Sequence, residues 1–210
     1  MNFFGRKHMN ASNSGSEPKG QENHEAASHR FTMELGRAEN LAVMLAISRA
    51  AAVVEVADLL AGMYIYSWDR LSRYWDSEDK EKIEGILQQI CQISPQRWHH
   101  WMEFYDKKRR DGEEQRSWLP SWKLKKEPPA AKEPAYSAAL TALLKQAEEI
   151  APFRDQVNGK DVPILTSECV LLCIVRTRGS DVSRKLAASG LNVPQLEKDA
   201  LFSRRARRDS

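Results

Sequence analysis

Cys169 and Cys173 stand four residues apart, the spacing that brings two thiols to one side of a helix. A zinc site needs about four ligands, and no histidine or third cysteine lies near this pair in sequence. Both read as buried free thiols of a packed helix. His99 and His100, flanked by Trp98 and Trp101, are the densest cluster of groups that can carry a proton or a metal. Neighbouring helix positions diverge by about 100°, so the two imidazoles do not easily share an ion. The aromatics are expected inward and one histidine outward. Glu113-Glu114 and Glu148-Glu149 are paired carboxylates in charged runs that read as solvated. No H-E-x-x-H, G-x-S-x-G or Cys/His signature is present, and no G-x-x-x-x-G-K-[ST] loop for phosphate. The reading is a protein that is not an enzyme, with no catalytic residue, metal ligand or cofactor.

The remaining reactive groups are cations and tryptophans. Lys107-Lys108-Arg109-Arg110 and the tail arginines Arg204, Arg205, Arg207 and Arg208 together bring eight positive charges that suit an anionic partner. The plainer alternative is a helix C-terminus followed by a solubilising tail. Trp118 and Trp122, interleaved with Lys123, Lys125 and Lys126, lie in a segment with four prolines. Tryptophans in such a segment are expected to bury somewhere, in this chain or in a partner. Trp118, Trp122 and the four tail arginines are therefore the candidate partner contacts.

Charge is unevenly spread. Net charge is +3 over 210 residues, with +1 in residues 1–30, +3 in residues 106–134 and +3 in residues 203–210, leaving −4 for the rest. The basic excess falls where folding is least expected. Hydrophobic residues make up 41%, enough for a core, and charged residues 29%. The most apolar stretch, residues 41–66, is broken by Arg49, Glu55 and Asp58, so no membrane span is expected. Phe3 and Phe4 precede Arg6 and Lys7, the reverse of a secretory signal. Three cysteines, an odd number, do not make a disulfide framework. A cytoplasmic protein is expected.

The elements that must position these groups are helices. Residues 1–30 lack periodicity and are expected to be disordered. Leu41, Met44, Leu45, Ser48 and Ala52 share a face and predict a closely packed helix over 39–52. Val53, Val54 and Val56 predict a short extended turn. Leu59, Leu60, Met63, Tyr64, Trp68, Leu71 and Trp75 predict a second helix over 56–75. A third spans 80–93. Ser94-Pro95 opens a fourth that carries Trp98, Trp101, Met102 and Tyr105 inward. Residues 111–134 form a basic, proline-containing linker. Helices follow over 136–151, from the N-cap Thr166 to about Arg178, over 180–189, and from Pro194 into the arginine tail. Residues 153–163, with Asn158-Gly159, are expected to be a loop.

The second half has a known pattern. "TSECVLLCIV" at Thr166 to Val175 and "SRKLAASGLNVPQLEKDAL" at Ser183 to Leu201 resemble the repeat of the Clp N-terminal (Clp R) domain. That four-helix unit occurs twice at the front of Clp unfoldases. Thr166, Glu168, Val170 and Leu171 match its Thr-x-Glu-His-Leu-Leu opening, with Cys169 in place of the usual histidine. Leu186, Gly190, Leu191 and Asn192 match its Leu-x-x-x-Gly-Val-Asp turn, with Asn192 for aspartate. "EVADLLAGMY" at Glu55 to Tyr64 aligns as a degenerate copy, which decays beyond Trp68.

The resemblance implies an all-α fold of two such units, residues 31–110 and 135–202, joined by the linker at 111–134 and flanked by tails at 1–30 and 203–210. It implies a stand-alone, non-catalytic protein- or peptide-binding module without the AAA+ motor, related to chaperone and protease quality control. Its partner would be a Clp-type ATPase, a substrate or an adaptor, held in the groove between the units. The alternative is a nucleic-acid-associated accessory protein that uses the basic linker and C-terminal arginines.

Overall fold

A computed structural model describes residues 29–75, 80–110 and 134–202. The described chain is mostly helical. Its helices are α1 (Met33–Ser48), α2 (Val56–Leu71), α3 (Lys80–Cys91), α4 (Pro95–Arg110), α5 (Ala138–Ile150), α6 (Ser167–Arg176), α7 (Asp181–Ala188) and α8 (Val193–Phe202). Five short strands accompany them, β1 (Arg30–Phe31), β2 (Val53–Val54), β3 (Ala135–Tyr136), β4 (Phe153–Val157) and β5 (Lys160–Leu165). The fold is thus not purely helical.

The helices begin where hydroxyl side chains accept otherwise orphaned backbone N–H groups. Thr32 caps Leu35 N at 3.4 Å, Ser137 caps Leu140 N at 3.2 Å, and Thr166 caps Cys169 N at 3.2 Å. Ser94 and Ser180 do the same for α4 and α7. The Thr32 cap starts α1 six residues before the expected Glu39, and the helix ends at Ser48, short of Ala52. The second helix ends at Leu71. A 3-10 turn over Ser72–Tyr74 and an extended Trp75 replace its predicted last turn.

The helices α1 and α2 form the most extensive helix pair of the described residues. Leu35, Ala38, Leu41, Ala42, Leu45 and Ala46 of α1 and Leu59, Leu60, Ala61 and Met63 of α2 are buried. Gly62 makes the close approach possible, because a Cβ there would lie 2.2 Å from the carbonyl oxygen of Ala38. Helices α3 and α4 cover the far side of α2 with Ile83, Leu87, Ile90, Trp98, Met102 and Tyr105. In the second half α6 is the central helix, packed by α5, α7 and α8.

The short strands lock the halves together by exchange. Strand β1, just before α1, pairs in parallel with β5, just before α6. Strand β3, just before α5, pairs in parallel with β2, just before α2. The same hydrogen bond closes each pairing. Thr32 N donates to Leu165 O at 2.9 Å, and Ser137 N donates to Val54 O at 3.0 Å.

Residues 153–163, expected to be a loop, belong to a β-hairpin, which is a correction to the periodicity reading. Asn158 and Gly159, with φ of 52° and 75°, make its two-residue turn. Pro163 obscures the strand in the sequence. Counting from the Val157↔Lys160 pair beside the turn, the Arg154↔Pro163 pair is one without direct hydrogen bonds. The missing N–H of proline therefore costs this ladder nothing.

Candidate functional site

The exchange of strands opens a cleft of about 550 Å³ between the halves. The first half contributes Thr32 from the start of α1 and Arg70 from the end of α2. The second half contributes Pro152, Phe153 and Arg154 around the start of β4, Ile164 of β5, Thr166 and Glu168 at the start of α6, and Asp199 and Ala200 of α8. Its volume suits a side chain or short peptide segment.

One side of the cleft is polar. Glu168 is buried, 3% exposed, because it opens α6 directly against the last turns of α2. Its carboxylate accepts from Arg70 Nε at 2.6 Å and lies 3.7 Å from the Arg73 guanidinium. Arg70 also bonds Glu34 of α1, so one guanidinium ties α1, α2 and α6. Arg73 reaches Asp199 at 3.1 Å, and Tyr74 Oη donates to the same carboxylate at 3.0 Å. Burial, with Glu168 and Asp199 nearby, pushes the Tyr74 phenol well above its ordinary range, so it stays a donor. The seam continues away from the cleft. Asn192 N donates to Tyr74 O at 2.6 Å and Trp75 Nε1 donates to Ser189 Oγ at 2.9 Å.

The opposite side is less polar, with Pro152, Phe153, Ile164 and the buried Ala200. Strand β4 is an edge of the sheet order β1-β5-β4. Its backbone is partly covered, since Asp155 Oδ1 accepts from Gln156 N at 2.9 Å and Asp155 pairs with Arg30 at 2.7 Å. Such charged edges resist pairing with another strand. A ligand in the cleft therefore meets side chains in preference to a sheet edge.

The other reactive groups are scattered. Cys91, Cys169 and Cys173 are free and buried. Burial raises the thiol pKa of Cys91 and Cys169 and pushes Cys173 up to about 12, so all three are protonated at neutral pH. Cys169 Sγ donates to Ala200 O at 3.6 Å, a contact that joins α6 to α8, and accepts from the α6 cap Thr166 Oγ1 at 3.3 Å. Among the described residues no group of three or more His, Cys, Asp or Glu side chains is arranged to hold a metal.

His99 and His100 are both exposed, not one of two as expected. His99 pairs with Glu103 at 3.2 Å, and His100 leans on the ring of Trp101. Trp98, Met102 and Tyr105 point inward as predicted, while Trp101 is only partly buried. Trp98, Met102 and Tyr105 share one stripe of the helix, and positions 99 and 100 fall about 100° and 200° round from Trp98, so both histidines face away from the core. Trp118, Trp122, Arg204, Arg205, Arg207 and Arg208 lie outside the described residues, as do residues 1–28 of the tail predicted over 1–30, residues 111–133 of the linker predicted over 111–134, and the tail predicted over 203–210.

The cleft residues were not identifiable in sequence. Glu168 and Thr166 carried a signal as the opening of α6, but nothing in the sequence singles out Arg70 or Asp199. No helix among the described residues is long and apolar enough to cross a membrane. Compared with known proteins, the chain matches no family model and no curated sequence.

Proposed function

We propose that the protein is a non-catalytic recognition module, two Clp-N-like units that hold a protein or peptide segment in the cleft between them. The observation that carries the reading is the reciprocal strand exchange. A strand before the first helix of each half pairs with the strand before the second helix of the other. This is the arrangement expected of two copies of one unit related by an approximate twofold. It also supports the alignment of Glu55–Tyr64 with Thr166–Val175, since α2 and α6 each follow the receiving strand directly. The cleft between such units has a buried carboxylate, two arginines and an apolar wall, features that orient a peptide without transforming it.

The resemblance also supports a partner among Clp-type ATPases, their substrates or adaptors, and a place in quality control. The test uses the full chain with a photoreactive amino acid at Phe153, and separately at exposed Glu103 and in the tail at Arg205. In extract of the native host, crosslinks to a protein from position 153, competed by unlabelled protein and absent from position 103, are the expected result. Crosslinks from position 205 alone would show that recognition belongs to the tail and would overturn this reading.

A further inference from the structure

The fourth helix carries a second surface that the cleft does not use. Trp101 and Phe104 are partly exposed, and their ring centroids lie 5.8 Å apart at an interplanar angle of 87°. His100 extends the row at 6.0 Å from Trp101. The row is held from beneath. The largely buried Tyr105 lies 5.4 Å from Phe104 and 6.4 Å from Trp101, and stacks edge-on against Tyr66 of α2 at 5.9 Å. Arg37 of α1 donates to Tyr66 Oη and lies over its ring at 5.7 Å. These aromatic faces are fixed before any ligand arrives.

Charge frames the same row. Helix α4 has five basic residues (Arg97, Lys107, Lys108, Arg109, Arg110) against the two acids Glu103 and Asp106. Glu103 lies 3.2 Å from exposed His99. The backbone helix runs on through Lys107–Arg110, so four cations follow within two turns of Phe104. Clustered cations alone attract any polyanion. A helix basic in sequence that also carries rigid, partly exposed aromatic rings matches one class, in which phosphates alternate with flat bases free to stack. In a duplex the bases are already stacked and paired, so the ligand is single-stranded.

We propose that α4 is a docking platform for single-stranded nucleic acid, with Trp101, Phe104 and His100 stacking bases and the basic sequence of the helix drawing the phosphates. The residues that line the cleft come from other elements than α4, so this surface and the peptide site stand or fall separately.

The test is fluorescence anisotropy of a labelled oligothymidylate of about fifteen nucleotides with the full chain. A duplex of equal length and polyglutamate serve as competitors. The double variant Trp101→Leu/Phe104→Leu keeps apolar bulk but removes the stacking faces, and far-UV circular dichroism verifies its fold. The expected result is binding at low salt that the leucine variant weakens about tenfold or more, while polyglutamate competes poorly. Lys107→Glu/Lys108→Glu, at the end of the helix, should weaken binding and flatten the logarithmic salt slope by about 0.7 for each phosphate no longer neutralised. Should the leucine variant fail to fold, His100→Ala on the exposed face replaces it, with a smaller expected loss. Absence of binding, equal binding by the folded aromatic variants, or equal competition by polyglutamate would each overturn the proposal, the last by pointing to an acidic peptide.

Discussion

Two glycine-to-alanine substitutions should move stability in opposite directions. Gly62 and Gly85 both lie inside helices, where alanine is intrinsically favoured by about 1 kcal/mol. At Gly85 a Cβ meets nothing within 4 Å. Gly85→Ala should therefore stabilise by about 0.5–1 kcal/mol. At Gly62 the added carbon would lie 2.2 Å from Ala38 O, 3.1 Å from Ala38 C and 3.3 Å from Ala42 N, all backbone atoms of α1. Backbone cannot rotate aside, so α1 and α2 must part by roughly 1 Å, a gap that forfeits a quarter to a half of the dispersion attraction across it. Leu35, Leu41, Leu45, Leu59 and Met63, all buried, are the residues whose packing loosens. Overpacking costs about 1–3 kcal/mol, occasionally more. Here, with backbone atoms on the other side, it should fall at the upper end, exceed the propensity gain and leave a net loss of about 1–2 kcal/mol.

In a chain of this size each kcal/mol moves the melting temperature by about 2–4 °C. Thermal unfolding followed by circular dichroism should thus show Gly62→Ala about 2–8 °C below the parent and Gly85→Ala about 1–4 °C above it. Equal melting temperatures for the two variants would refute the claim that α1 and α2 cross at Gly62.

Other groups yield further expectations. Arg70→Met leaves Glu168 buried with only Arg73, at 3.7 Å, and should cost about 2–4 kcal/mol in urea titration. Glu168→Gln leaves Arg70 its bond to Glu34 and should cost less, about 1–2 kcal/mol; the reverse order would show that Glu168 is not held by Arg70. All three thiols should resist an aromatic disulfide reagent at pH 8 until denaturant is added, and rapid reaction of Cys173 in the native protein would contradict its burial and raised pKa. Burial raises the Asp58 pKa above 3.8 despite its bond from Glu55 N and its pair with Arg49. Its contribution to stability is therefore complete below pH 3.8 and is lost as pH rises through the higher folded value. Asp58→Asn should remove that part of the acid-range slope, and an unchanged difference between parent and variant from pH 3 to 7 would count against the burial.

Helix positions were legible where a cap and a repeating apolar face agreed. Ser94-Pro95 and Thr166 marked starts that the structure places at Pro95 and Ser167, and Leu140, Leu143, Leu144 and Ala147 marked the buried face of α5. The start of α1 was hidden because Glu34, Gly36, Arg37 and Glu39 dilute the pattern around Leu35 and Ala38. Polar residues there bond to groups distant in sequence, such as Tyr136 Oη to Glu39 at 2.6 Å. The two-residue strands have no periodicity to read. They exist because the other half supplies their partner, information no local window contains. The cleft escaped notice for the same reason, since Thr32, Arg70, Glu168 and Asp199 meet only after the halves interlock.

The exchanged strands also dictate the order in which the protein can be made. Arg30 must wait for Ile164, synthesised more than a hundred residues later, while Val53 waits for Ala135. An emerging first half on the ribosome has neither partner, and pairings so far apart in sequence form slowly. Truncation before Leu165 would leave strand β1 without its partner. The two exchanged pairings therefore close in turn, first when residues 135–136 are available and then when residues 164–165 are.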